Sequence, residues 1–173
     1  MARVPYIDVG KDALNIRRAL ANSPTAGPKN TALAMHIRNE SKLDPRLREM
    51  AILQVGYTAR CAYEYVHHIE LGREFGVSDD DIRAIAEDSA GRPTKLDPLA
   101  KAVLRAAREM TVDCGIADDT FAVLKQHLDN ERIVDLVLAV AFYNSTVRIL
   151  ESLKVDVEPG YQRYLQEFPL PPR

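Results

Sequence analysis

Along most of this chain apolar residues recur every three or four positions, the spacing of amphipathic helices. No stretch alternates convincingly with period two, so the expectation is an all-α fold of about six to eight helices in a single domain over residues 1–173. Residues 1–10 read as an extended arm. A short helix is expected from Asp12 to Ala21, with Ala13, Ile16 and Leu20 on one side. Ser23 to Pro28 (SPTAGP) reads as a breaker-rich loop, and a second helix runs from Pro28 to about Arg38.

Start and stop signals place the next elements. Asp44-Pro45 supplies a capping carboxylate and a proline at the first helical position, opening a helix to about Tyr57. Met50, Ile52, Leu53 and Gly56 form its apolar side, and Glu49 falls inside that stripe. A helix follows from Ala59 to Phe75, with Gly76 as a left-handed stop. Ser78 and Asp81 suggest a capping box for a helix to Asp88. Asp97-Pro98 repeats the earlier start signal and opens a helix to about Val112. A shorter helix covers 118–127. From Asn130, the run ERIVDLVLAVAFYNSTVRILESL is apolar on so many sides that it belongs in the core or at a subunit interface. The tail from Lys154 to Arg173 holds four prolines and an EPGY turn and reads as an irregular arm.

Composition changes this picture little. With 46% hydrophobic and 28% charged residues, the chain suits a globular protein. Lys plus Arg is 23 against 25 for Asp plus Glu, a net charge of −2 that gives no reason to expect nucleic acid. No apolar run is read as membrane-spanning, and the N-terminus lacks a hydrophobic signal core. Two cysteines 53 positions apart, Cys61 and Cys114, make no disulfide framework, so a reducing cytoplasm is expected.

Reactive residue types concentrate between Glu49 and Gly76. At about 100° per residue, Glu64 sits roughly 60° and His68 roughly 20° from Cys61 on a continuous helix. Thiol, carboxylate and imidazole then share a face. His67 is rotated away, toward an edge or interface. A carboxylate beside an imidazole sets its tautomer and basicity, and burial in an apolar stripe gives Glu49 a reason to titrate high. Glu49, Glu64 and His68 are therefore candidates for general acid–base work. Cys61 is a candidate nucleophile or a small buried residue. Tyr65, His67, Asn144 and Arg148 are candidate substrate contacts. Arg148 would clamp a carboxylate, with an ion pair to Glu151 or Glu64 as its alternative. Glu49 pairing with Arg46, Arg48 or Arg60 is the plain structural alternative for that residue. No zinc, phosphate-loop or dinucleotide pattern is present, and no metal or cofactor is expected.

These residues resemble the carboxymuconolactone decarboxylase family, which shares a broad fold with the alkylhydroperoxidase AhpD. The resemblance is clearest over about residues 40–90 and looser at Tyr143, Asn144 and Arg148. The peroxidase branch carries a Glu about a dozen residues before Cys-x-x-Cys-x-x-x-His. Glu49, Cys61 and His68 match its positions, but Glu64 stands where the second thiol would be. The decarboxylase branch shows Glu-x-x-x-His here, which Glu64 and His68 satisfy, and the Gly76-Val77-Ser78 turn agrees. The resemblance implies an AhpD-like helical domain and a homo-oligomer, a trimer or hexamer with a dimer as the alternative. It also implies cofactor-free decarboxylation or related proton transfer on a small carboxylated metabolite. A single-thiol redox protein using Cys61 and a non-catalytic oligomeric binding protein are the rival readings.

Overall fold

The computed structural model describes residues 1–172. Nine α-helices are present among them: α1 (Asn15–Leu20), α2 (Ala26–Asn39), α3 (Pro45–Thr58), α4 (Ala62–Glu74), α5 (Asp79–Ser89), α6 (Pro98–Val112), α7 (Asp118–His127), α8 (Asn130–Leu153) and α9 (Tyr164–Glu167). A 3-10 turn, Pro159–Tyr161, precedes α9 and occupies the EPGY sequence. No strand occurs among the described residues. The ninth helix is one turn long and lies in the tail, where prolines mask helical periodicity.

The expected caps are in place. The side chains of Asp44 and Asp97 accept from the backbone N–H groups of Leu47 and Ala100. Ser78 and Asp81 bond reciprocally as a capping box, and Gly76 takes a left-handed φ of 91° after α4. One expectation fails at Ser23–Pro28. The chain there is already helical from Ala26, because Pro28 falls in the first turn, where its missing N–H costs nothing. Gly27 fits because a Cβ would lie 2.7 Å from the Leu20 carbonyl oxygen, so only glycine lets α2 start so close to α1.

The molecule is built around α3. Every residue from Leu47 to Gly56 is buried, including Arg48, Glu49 and Gln54. Helices α4, α5, α6 and α8 pack around it. Its polar side chains find partners from distant segments: Gln54 Nε2 donates to Thr58 and Ser89, and Arg108 donates to Gln54 Oε1.

Helix α8 is long and apolar enough to cross a membrane by length and composition, with a mean hydropathy of 1.6 over its most apolar window. The sequence reading that no run reaches that length is corrected here. Half of that window is buried inside the fold, as a core helix requires. Its outward side leaves Val134 62% and Leu138 37% exposed.

The N-terminal arm lies against the end of α8 and the segment after it. Arg3 N–H donates to the Leu153 carbonyl, and Tyr6 and the Asp156 carboxylate share a hydrogen bond. The tail then folds over α4, burying Tyr164 and Phe168.

Candidate active site

The site begins with an elbow. Helix α3 stops at Thr58, Arg60 adopts a left-handed φ of 54°, and Cys61 is extended, so α4 starts only at Ala62. The two helices then cross closely. A Cβ on Gly56 would lie 3.1 Å from the Tyr65 backbone nitrogen. The elbow folds α4 back along α3 and sets Glu49 opposite His68.

His68 is held between two carboxylates. Its Nδ1 lies 2.7 Å from Glu49 Oε2, and its Nε2 lies 2.9 Å from Glu64 Oε1. The Glu49 contact is a well-formed hydrogen bond. The Glu64 contact is an ion pair whose alignment falls short of one, which leaves Glu64 Oε1 without an aligned donor. Arg48 Nε donates to the other Glu49 oxygen at 3.0 Å. Arg48, Glu49, Glu64 and His68 are each at most 5% exposed. The Tyr143 ring meets the imidazole edge-on at 4.9 Å.

Electrostatics follow from that geometry. Burial disfavours the imidazolium, but the charges of Glu64 and Glu49 outweigh it, and His68 is pushed up to about 9. Glu49 departs from expectation. Burial alone would raise it, yet the charge and hydrogen bond of His68, with Arg48 beyond, hold it below its ordinary value. The cluster thus alternates basic and acidic side chains, Arg48, Glu49, His68 and Glu64, with the imidazolium favoured and Glu49 held ionised. The sequence reading of a high-titrating Glu49 counted desolvation alone; the Arg48 pairing named as its alternative is present, and His68 joins it.

His68 and Glu64 line a cavity of about 260 Å³ between α1, α2, α4 and α8. Its walls include Leu20, Ala34, Met35, Phe142 and Tyr143, with Arg17 and Arg38 among them. Glu49 lies behind His68, off the wall.

His67 also reaches the cavity, stacked between the rings of Tyr63 and Tyr161 at 4.2 and 3.9 Å. Its Nδ1 donates to the Tyr63 carbonyl at 2.7 Å. Its Nε2 stands 2.9 Å from Glu158 Oε2, close enough for an ion pair but poorly aligned for a hydrogen bond. Glu158 Oε1 accepts from the Asn15 backbone at 2.7 Å and from the Tyr63 hydroxyl at 3.0 Å.

The remaining sequence candidates are not brought to this cavity. Cys61 precedes α4 in extended conformation, so counting it as helical misplaced its thiol. The thiol is buried and pushed up to about 12, first by desolvation and then by the charges of Glu64 and Glu151. Tyr65 is buried against Tyr57. Arg148 donates to the Asn144 carbonyl and side-chain oxygen at 2.6 and 2.8 Å. Asn144 in turn donates to Thr111. Helical phase explains the miss: Tyr143 faces His68, and Arg148, five positions on, is turned about 140° from it. Periodicity could have flagged Thr146 beside Tyr143. Arg38, Glu158 and Tyr161 carried no local signal.

The family model of the carboxymuconolactone decarboxylase family matches residues 24–109. No curated protein matches the chain. Among solved structures, the fold is similar to an uncharacterized peroxidase-related protein of Ralstonia eutropha JMP134 with an alkylhydroperoxidase AhpD core. That match has 16% identity and a TM-score of 0.79, over 98% of each chain. It is similar to a peroxidase-related protein from Silicibacter sp. TM1040, at 22% identity and TM-score 0.70, covering 84% of this chain and 77% of that one. It is also similar to the debrominase Bmp8, solved with 2,3,4-tribromopyrrole, at 13% identity and TM-score 0.79, covering 90% and 82%. Identities this low speak to the fold alone. The matched segment spans α2 to α6 up to Glu109 and contains Glu49, Glu64 and His68; with its AhpD-like helical fold, the chain belongs to the carboxymuconolactone decarboxylase family.

Proposed function

We propose that this protein is an enzyme that moves protons on a small carboxylated molecule, by decarboxylation or a related acid–base reaction. The observation that carries this reading is His68, held as an imidazolium between two buried carboxylates and facing a cavity. When a carboxylate leaves as CO2, its C–C bond electrons pass into an adjoining carbonyl, and the carbon then needs a proton. Glu64 and His68 both line the cavity 2.9 Å apart, so His68 is placed to deliver the proton while Glu64 stabilises its charge. Glu49 and Arg48 hold the imidazole in orientation from behind.

The neighbours' names span peroxidase-related proteins and a debrominase, so fold does not select among chemistries. The residues do. A thiolate mechanism needs an accessible thiol of low pKa, whereas Cys61 is buried, pushed up, and absent from the cavity wall. Cys114 sits exposed on the loop after α6.

The test is CO2 release from 4-carboxymuconolactone by the purified protein. His68→Ala and Glu64→Gln are each expected to lower turnover by about 10²- to 10⁴-fold. Turnover unchanged in both variants would remove these residues from the mechanism. We further propose that the outward side of α8, with Val134 and Leu138, packs against another copy of the chain. Light scattering is expected to show a homo-oligomer that Val134→Glu with Leu138→Glu converts to monomer; a monomeric wild type at micromolar concentration refutes this.

A further inference from the structure

We infer that Arg38, with Arg17 at the rim, is the anion anchor of the cavity that holds His68 and Glu64, and that its ligand is a small organic carboxylate with an apolar body. The inference rests on the proposed acid–base reading and names the residues that would give that site its substrate class.

The argument starts from pairing. Most arginines among the described residues lie within ion-pair distance of an acid: Arg46 of Asp81, Arg48 of Glu49, Arg108 of Asp88, Arg73 of Asp79. Arg38 is different. It lies on α2 at the cavity wall, and its Nε is fully covered yet has no hydrogen-bond partner among the described residues. No carboxylate of the described residues lies within ion-pair distance of Arg38 or Arg17. Three acids also line the cavity, Glu64, Glu70 and Glu74, and none of them reaches either arginine. Glu64 pairs with His68, and Glu70 accepts from the Tyr164 hydroxyl. Covering a guanidinium N–H without an acceptor is disfavoured in a finished fold. The same arrangement is favourable once an anion enters, because a guanidinium offers two parallel N–H donors that match a carboxylate.

The rest of the wall sets the body of the ligand. Leu20, Ala34, Met35 and Phe142 are apolar and suit a hydrocarbon ring or short chain. The volume, about 260 Å³, is below the roughly 300 Å³ at which pockets for drug-sized ligands begin, so the ligand is small. Arg148, the clamp suggested by sequence, is spent on Asn144 and lies elsewhere. Arg38 takes over that task from a position with no motif.

The probe is benzoate, titrated calorimetrically into the full-length protein, with benzamide as its neutral isostere and sulfate as a bare anion. Benzoate is expected to bind wild type about ten-fold or more tightly than benzamide or sulfate. Arg38→Met is expected to weaken benzoate about ten-fold or more and to leave benzamide unchanged, with Arg38→Lys in between because it keeps the charge and loses the fork. Arg17→Met is expected to have the smaller effect. An unchanged melting temperature in Arg38→Met shows that the fold survives. Benzoate affinity equal in wild type and Arg38→Met overturns the inference. So does benzamide or sulfate binding as tightly as benzoate, or no binding by benzoate, phenylacetate and cinnamate alike. Wild type separates the two claims: if it binds benzoate through Arg38 but releases no CO2 from 4-carboxymuconolactone, this inference stands and the reaction is removed.

Discussion

Arg48→Met is expected to cost the folded state about 3–5 kcal/mol, the range seen when one partner of a buried ion pair is removed. Arg48 is 1% exposed, its guanidinium lies over the Phe75 ring at 4.7 Å, and its Nε holds Glu49 Oε1. With it the buried cluster sets two basic side chains beside Glu49 and Glu64; without it, His68 alone faces both. For a chain of this length that loss lowers the melting temperature by roughly 10 °C, at about 2–4 °C per kcal/mol. Adding Glu49→Gln to Arg48→Met removes the orphaned charge and is expected to recover part of the loss, which a double-mutant cycle reads directly. A melting temperature within about 2 °C of wild type in the single variant would show that the cluster is not charged as described.

The second large effect is an alkaline loss of stability. His68 is raised from an ordinary 6.5 to about 9 in the folded protein. A raised histidine binds its proton more tightly when folded. Its contribution is therefore complete below pH 6.5 and is lost as pH rises through 9. Linkage puts the size at about 3 kcal/mol, since each pKa unit is about 1.4 kcal/mol. This belongs to the coupled His68, Glu49 and Glu64 cluster as a unit. Cys61, Tyr63, Tyr65 and Tyr143 are also raised by burial. Their unfolded values lie at 9 and above, so they act only beyond the His68 window. Urea midpoints between pH 6.5 and 9 isolate the histidine. Wild type is expected to fall steadily across that range and His68→Gln to stay flat; parallel curves would refute the assignment.

Much of this arrangement was legible in the sequence. The spacing of Glu64 and His68 is one helical turn wherever the helix begins, and Glu49 stands in an apolar stripe regardless of partner. The Asp-Pro starts and the Gly76 stop are local chemistry and fall where expected. What escaped was set by distant contacts. Arg60 is a non-glycine residue in a left-handed turn, with no sequence signal that the helix breaks there. That break moved Cys61 out of the cluster. The burial of Gln54 had no local signal, because its partners Ser89 and Arg108 come from α5 and α6. The strongly apolar α8 suggested a centre, yet α3 takes it, because its polar side chains are satisfied inside the fold. Tyr161 reaches the cavity, and Glu158 reaches His67, from a proline-rich tail that no helical pattern describes.

Glu158 joins three parts of the chain: α1 through the Asn15 amide, α4 through Tyr63 and His67, and its own tail. Helix α1 and the segment after α8 are therefore sewn to the site helix by one carboxylate. A chain end is ordinarily the freest place to add, trim or fuse a sequence. In this protein, the segments just inside both ends are walls of the cavity, and alterations there reach the candidate active site as directly as a substitution in α4.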